Sequence, residues 1–490
     1  MRAIIAQLWE RGCYECADRL YQCIIYRMST KTIDRRSFLQ SIVAAAAAPI
    51  SAPSCAASSS RFAALRSDPN KILDLPAGFK YNVVSRVGTE MSDGLLVPGA
   101  HDGMAAFTGE KGRIRLVCNH ENWPARLVGS AFGDSYASLS EDLKERLYDR
   151  GSDQTPGLGG TTTTIYDPAT GTTELQFLSL GGTEVNCCGG TTPWGSWLSC
   201  EESFEFPGTQ KYFGQSQVVT RDKLHGFVFE VPADADTLTT AQPLTAMGQF
   251  EHEAAAVHEP SGIVYMTEDQ HHSLFYRFIP HVPGKLIEGG TLQALAVVGQ
   301  SRLVTNNWGN KRSIEINEPL PVEWIDVRSA EELGGDYIRL FGAKYGAATF
   351  SRGEGLCVAG DRFAFTCTYG GPAQLGQVFT YKPSPFEGTA EEGKSPGELT
   401  LIAEANEHSL LHNADNLTMA PWGDLIVCED AGNHCGLVGI RPDGSQYAIA
   451  DNAHSTSELA GVCFSPDGET LFVNIQWPGM TIAITGPWPA

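Results

Sequence analysis

A chain of 490 residues with 57 acidic against 35 basic side chains carries a formal net charge of −22, which argues against binding a nucleic-acid backbone or an anionic membrane. The same charge repels a small anionic substrate unless the carboxylates are gathered around cations, which invert the local field and take oxygen ligands. Its 52 glycines and 27 prolines favour many short strands over long helices, and a repeat architecture accommodates this length in one unit.

Residues 1–27 carry Cys13, Cys16 and Cys23, precede Met28 and look foreign to an export signal; a start-site extension, with Met28 as initiator, accounts for them. The stretch Asp34-Arg35-Arg36-Ser37-Phe38-Leu39-Gln40 then heads a weakly apolar, alanine-rich run from Ser41 to Ala57. That run is too short and too interrupted by proline to span a membrane. Paired arginines at its head make residues 28–60 a twin-arginine export signal, cleaved between Ala52 and Ser60. Cys55 follows Ala52-Pro53-Ser54, a poor lipobox. The expected destination is the periplasm or the medium, reached through the twin-arginine machinery, which exports folded proteins that often already hold a metal. Nine cysteines remain in residues 61–490: Cys118, Cys187, Cys188, Cys200, Cys357, Cys367, Cys428, Cys435 and Cys463. An odd number leaves at least one thiol unpaired in an oxidising compartment, and none lies in a C-x-x-C pair of the kind that binds zinc.

From Gly112 onward a turn glycine followed by a short apolar run recurs. The runs are Gly112–Glu121, Gly195–Glu202, Gly262–Asp269, Gly360–Thr368, Gly423–Asp430 and Gly468–Gln476. Each reads as a strand, and their recurrence predicts an all-β fold, a six-bladed β-propeller forming one domain over residues 61–490. The uneven spacing predicts an insertion near Gly284 to Leu333 and a polar surface loop from Glu387 to Pro396. Short helices are expected in Ser138 to Asp149 and Ser329 to Leu333. Equivalent strand ends of a propeller converge on one mouth of its channel. The pairs Glu201/Glu202, Glu268/Asp269 and Glu429/Asp430 would then face one another there. Taken singly, each pair reads as a solvated strand end. Three at one strand position, with Glu121 besides, form a self-repelling ring that bound cations neutralise.

Other stretches bear on that ring. Asn186-Cys187-Cys188-Gly189-Gly190 leads into the second acidic pair, and a thiol beside carboxylates suits a trivalent or borderline metal better than calcium. Gly248-Gln249-Phe250-Glu251-His252-Glu253 precedes the third strand. Arg352-Gly353-Glu354 sets an arginine and a glutamate on one side of an extended backbone; the arginine is either a counter-ion or an anion clamp, its planar fork matching phosphate. Asp415-Asn416-Leu417 and Ser457-Glu458-Leu459-Ala460-Gly461 open the last two units. His120 and His252 read equally as donors behind the site or as core residues.

With Leu75-Pro76-Ala77-Gly78-Phe79, Asp102-Gly103-Met104-Ala105-Ala106-Phe107, Asn119-His120-Glu121 and Gln476-Trp477-Pro478-Gly479-Met480-Thr481, these strings resemble the PhoX-type alkaline phosphatases from about Leu75 to Trp488. The resemblance implies a six-bladed propeller whose channel holds iron(III) and calcium joined by a bridging oxo group. It implies release of inorganic phosphate from phosphate monoesters at alkaline pH. Carried over residue by residue, it makes Cys187 an iron ligand. It makes Glu121, Glu202, Glu268 and Glu354 further metal ligands, joined by Glu201, Glu253, Asp269 and Asp415, and it puts Arg352 on the phosphate. One departure is Cys188, standing where the family has alanine; a vicinal disulfide is strained and rare, so Cys187 is expected to stay free for metal. The expected partners are small phosphate esters and the export machinery, with no nucleic acid, no stable membrane insertion and a monomeric state. Two alternatives stay open: a phosphodiesterase or phosphotriesterase on the same scaffold, and a non-catalytic propeller that binds through structural calcium.

Overall fold

Short apolar runs separated by turn glycines can satisfy their backbone groups only by pairing with one another, and in this protein they do so as hairpins. A computed structural model describes residues 61–489 apart from 125–128, 134–135, 137–138, 212–217, 310, 328–336 and 433. The expected start-site extension and signal, residues 1–60, lie outside the described residues. So does the helix expected from Ser329 to Leu333.

All six runs form the second strand of an antiparallel hairpin. The hairpins join His101–Thr108 to Ile114–His120, Asn186–Thr191 to Ser196–Glu201, and His252–His258 to Ile263–Glu268. The other three join Gly353–Ala359 to Arg362–Cys367, Ala414–Met419 to Leu425–Glu429, and Leu459–Phe464 to Thr470–Ile475. The glycine at the head of each run has φ between +69° and +88°, a conformation tight turns require and side chains with a Cβ disfavour. The first strands of the hairpins are almost entirely buried. They pack side by side in sequence order, the last against the first, around a common axis.

This arrangement is mostly β and propeller-like, but the strands do not separate into six independent sheets. Among the described residues, four sheets have four or more strands, with six, nine, four and four strands. Two local causes explain the difference. Leu320–Asp326 pairs with Glu398–Glu404, with Leu320 opposite Leu399, and so fuses two units into the nine-stranded sheet. The sheet containing Asn186–Thr191 holds only three strands.

The insertion expected near Gly284 to Leu333 contains two strands of the fused sheet, Gly290–Val297 and Leu320–Asp326. The loop expected to be polar and exposed from Glu387 is anchored inside. Buried Glu387 accepts hydrogen bonds from Arg277 Nη1, Tyr265 and Tyr381 at 2.6, 2.8 and 2.9 Å. A helix forms at Glu141–Arg146, capped by the Ser140 hydroxyl on the Leu143 amide. Another spans Ile338–Tyr345. Among the described residues no helix is long and apolar enough to cross a membrane.

The first of the described residues are built into the end of the fold. Lys80–Arg86 pairs with Met480–Thr485, and Leu73–Pro76 pairs with Gln446–Asn452. Ahead of them, Phe62 meets Phe79, Tyr447, Trp488 and Trp422 edge-on at centroid distances of 5.1 to 6.4 Å. Arg61 pairs with Asp424 at 2.8 Å and lies over the Tyr447 ring. Edge-to-face aromatic contacts add to the area they bury. Phe62→Ala should therefore lower the unfolding free energy by about 2 kcal/mol, less than a fully buried phenylalanine because Phe62 is part-exposed. Denaturant titration measures this, and an unchanged midpoint would show that Phe62 does not clasp the last sheets.

Candidate metal centre

In all six hairpins the register of the first strand slips near its start. The slips lie between His101 and Met104, Asn186 and Gly189, His252 and Ala255, Gly353 and Leu356, Ala414 and Leu417, and Ala460 and Cys463. A bulge of this kind re-aims a side chain. The residues in the first five slips include Asp102, Cys187, Glu253, Glu354 and Asp415. In the sixth stands Gly461 at φ +61°, where a Cβ would run into the Asp102 carbonyl oxygen.

The second strands add a further set. Side chains on a strand alternate between faces, so an acidic pair at a strand end is divided. Glu201, last in its strand, accepts from the amides of Glu184, Gly226 and Phe227 at 2.9, 2.9 and 3.2 Å, and from His225 Nδ1 at 2.7 Å. Glu268 accepts from the Leu274 amide and the Tyr276 hydroxyl at 3.2 and 2.9 Å, with Arg339 Nε at 3.9 Å. Glu429 accepts from the amides of His412 and Gly436. The residue after each of these faces the axis: Glu202, Asp269 and Asp430, with Glu121 and Gln476 at the corresponding strand ends.

The two sets meet in a cavity of about 410 Å³ lined by eight carboxylates, Asp102, Glu121, Glu202, Asp269, Glu354, Asp415, Asp430 and Glu458. Cys187, Arg352, Ala100, Trp123, Thr456, Ser457 and Gln476 complete its wall. Three trios of donor atoms each lie within 4.8 Å of one another: Asp102, Glu121 and Cys187; Cys187, Glu202 and Glu253; Glu253, Glu354 and Asp415. Cys187 and Glu253 each belong to two trios, so the sites are contiguous. Of the ligands expected from the sequence, Glu121, Cys187, Glu202, Glu253, Glu354 and Asp415 are thus brought together. Glu201 and Glu268 are not; alternation turns them away from the cavity, and protein donors hold them. Asp102, Asp430 and Glu458 were missed as site residues, although each sits in a stretch the sequence singles out. Asp430 was legible as the second acid of its pair, once only one acid of each pair can face inward.

Such a cluster is unstable in its fully ionised form. Burial raises the Asp102 carboxyl to about 7 against the pull of the Gln476 and Gly103 donors. Burial and Asp269 take Glu354 to about 8. Glu202, Glu253, Asp415 and Glu458 are pushed well above the carboxylate range by burial first and by neighbouring carboxylates second, Asp269 on Glu202, Glu354 on Glu253 and Asp415, and Asp415 on Glu458. Burial and the facing carboxylates likewise hold the Cys187 thiol protonated. Protons or cations must enter with these groups. Buried Glu253 Oε2 has no hydrogen-bond partner, an acceptor that a cation would satisfy, so the donor set fits metal.

Neighbouring amides fix the ligands in place. Asn119 Nδ2 donates to the Cys187 and Cys188 carbonyls at 2.9 and 2.6 Å, while its Oδ1 accepts from Trp197 and Ser199. Asn416 Nδ2 donates to Asp415 at 2.9 Å and its Oδ1 accepts from the Gly461 amide at 2.7 Å. His120 and His252 are core residues, bonded to the Gly99 and Gly248 carbonyls. Among the described residues all nine cysteines are free thiols, Cys187 and Cys188 included.

Among the described residues Arg352 is the one cation in the cavity wall. Its backbone is not extended but left-handed, at φ +55°, held by its amide on the Gln270 carbonyl and its carbonyl on the Thr368 amide. Asp269, expected as a metal ligand, instead grips the guanidinium by two hydrogen bonds, from Nε at 2.9 Å and Nη2 at 2.8 Å. Nη2 also lies 2.9 Å from Glu354, and Nη1 lies 3.9 Å from Asp430.

A family model described as alkaline phosphatase PhoX matches residues 60–479 of the chain. No curated protein matches it. Among solved structures, the PhoX of Pseudomonas fluorescens in complex with vanadate, a transition state analogue, is similar in fold. It is 18% identical at a TM-score of 0.60, covering 87% of this chain and 97% of the other. A gluconolactonase of Xanthomonas campestris is 10% identical at a TM-score of 0.40, covering 83% and 95%.

The division of the acidic pairs makes two variants behave differently. Asp102→Asn should lose bound metal by elemental analysis while keeping its circular dichroism. Glu201→Gln should keep its metal but lose about 3 kcal/mol of stability, because it breaks a buried ion pair; the reverse pattern would reassign both residues. A second prediction concerns His225, bonded to Glu201 and, at 3.2 Å, to Asp149. Burial opposes its charge, but Glu201, Glu184 and Asp149 outweigh burial and raise it to about 10. A raised pKa gives stability that is complete below the ordinary 6.5 and is lost as pH climbs towards 10. His225→Gln should flatten the fall in melting temperature across that window at constant metal content.

Proposed function

The chain belongs to the PhoX alkaline phosphatase family, phosphoric monoester hydrolases, and we propose that it releases inorganic phosphate from small esters at a mixed iron(III) and calcium cluster in this cavity. The observation that carries the proposal is one fixed guanidinium set beside three contiguous donor trios. The trios that share Cys187 combine a soft thiolate with carboxylates and suit iron(III). The trio of Glu253, Glu354 and Asp415 offers oxygen alone and suits calcium. Bound there, the cluster would polarise the phosphoryl group and lower the pKa of coordinated water.

The chain's own contribution is to bind, orient and discriminate. Asp269 and Glu354 occupy the Nε and Nη2 edge of Arg352 and fix the plane of its fork. On this reading Nη1 meets an equatorial phosphate oxygen as charge gathers on it in the transition state. The surrounding carboxylates repel any anion that arrives before the cations are in place, so metal loading precedes substrate binding.

On the same reading the fold is a six-bladed propeller, supported by the six first strands around the axis, with two blades joined through Leu320–Asp326 and Glu398–Glu404. Residues 61–490 form one catalytic domain, while residues 28–60 direct twin-arginine export to the periplasm or beyond and residues 1–27 precede the true start.

Arg352→Ala should keep its metals but lose about 10²–10³ in kcat, and Arg352→Lys should regain part of it, since a point charge lacks the fork. Chelation of calcium should abolish activity and added calcium restore it. Full activity of Arg352→Ala, or active enzyme holding zinc without iron, would overturn the proposal.

A further inference from the structure

Fourteen of the cavity's lining residues are small, polar or charged; the other is Trp123. Its relative exposure is 41%, yet its ring is tethered. Nε1 donates to Glu121 Oε1 at 3.1 Å, and Glu121 Oε2 in turn accepts from Gln476 Nε2. Gln476 Nε2 also donates to Asp102 Oδ2 at 3.1 Å. The indole edge is therefore fixed to the donor trio at the same carboxylate that the proposed cluster uses. Among the described residues lining the cavity, Trp123 is the one aromatic side chain. A tethered aromatic ring loses little entropy on binding, and stacking tolerates any flat partner.

We propose that Trp123 is a specificity-determining residue that stacks a planar leaving group, so that aryl and nucleoside monophosphates are preferred over small aliphatic esters. This rests on the phosphatase reading of the cavity. Thr456 and Ser457, also in the wall, supply hydroxyls suited to a sugar, whereas a cationic leaving group would need carboxylates not engaged by the cluster.

The test compares metal-loaded wild type, Trp123→Leu and Trp123→Phe on adenosine monophosphate, glycerol phosphate and phosphocholine. Calorimetry measures the binding of adenosine alone, and elemental analysis the metal content. Trp123→Leu should raise KM for adenosine monophosphate about tenfold, change the glycerol phosphate KM much less, and weaken adenosine binding to match; Trp123→Phe should recover most of this. Equal effects on all three esters, a loss confined to phosphocholine, unchanged adenosine affinity, or lost metal would each overturn the assignment. If wild type hydrolysed none of the esters, the phosphatase reading would fail, and adenosine binding would still decide the role of Trp123.

Discussion

Repulsion among carboxylates crowded around one axis is the constraint on which the rest of this structure depends. Eight line a cavity of about 410 Å³ and face one guanidinium. The apparent cost of charging shows in the carboxyls driven upward, Asp102 to about 7 and Glu354 to about 8. Such a centre persists because its acids are mounted in the buried first strands and at the ends of the second strands, and because side-chain amides of Asn119, Asn416 and Gln476 hold backbone and ligand atoms.

A repeated backbone device does the aiming. The register slips at the start of every first strand turn one side chain towards the axis, and five of the six positions carry an acid or a thiol. The exception, Gly461, closes against the Asp102 backbone, which breaks the symmetry and leaves the donors distributed unevenly around the axis. Cys187, the one thiol among the described residues lining the cavity, belongs to two of the three donor trios, and the third is carboxylate alone.

Arg352 shows how such a field fixes a cation as well. Asp269, Glu354 and Asp430 surround its guanidinium, and its left-handed backbone is held by bonds to Gln270 and Thr368. A non-glycine residue in that region costs free energy unless its surroundings over-determine it. Here the neighbouring main chain and three carboxylates do so, and the fork is in place before any anion arrives.

The sequence by itself determined the strands and the chemistry of the site: glycine-headed apolar runs need partners for their backbones, and Cys187, Arg352 and the acids clustered at run ends announce a cation centre. The family resemblance carried Glu121, Glu202, Glu253, Glu354 and Asp415 into the same set, and with them Glu201 and Glu268, which turn away from the cavity, and Asp269, which grips Arg352. Tertiary structure alone decided which acid of each pair does what. Alternation along a strand is legible in sequence, but which face meets the axis depends on packing between strands far apart in the chain; this is why Glu201 and Glu268 turn to backbone amides while Glu202 and Asp269 face inward. Asp102, Asp430 and Glu458 reach the cavity for the same reason, and Asp269 becomes the partner of Arg352 through a contact spanning 83 residues. The fusion of two sheets through Leu320 and Leu399 was likewise hidden, because edge pairing is set by where strands come to lie and not by their composition.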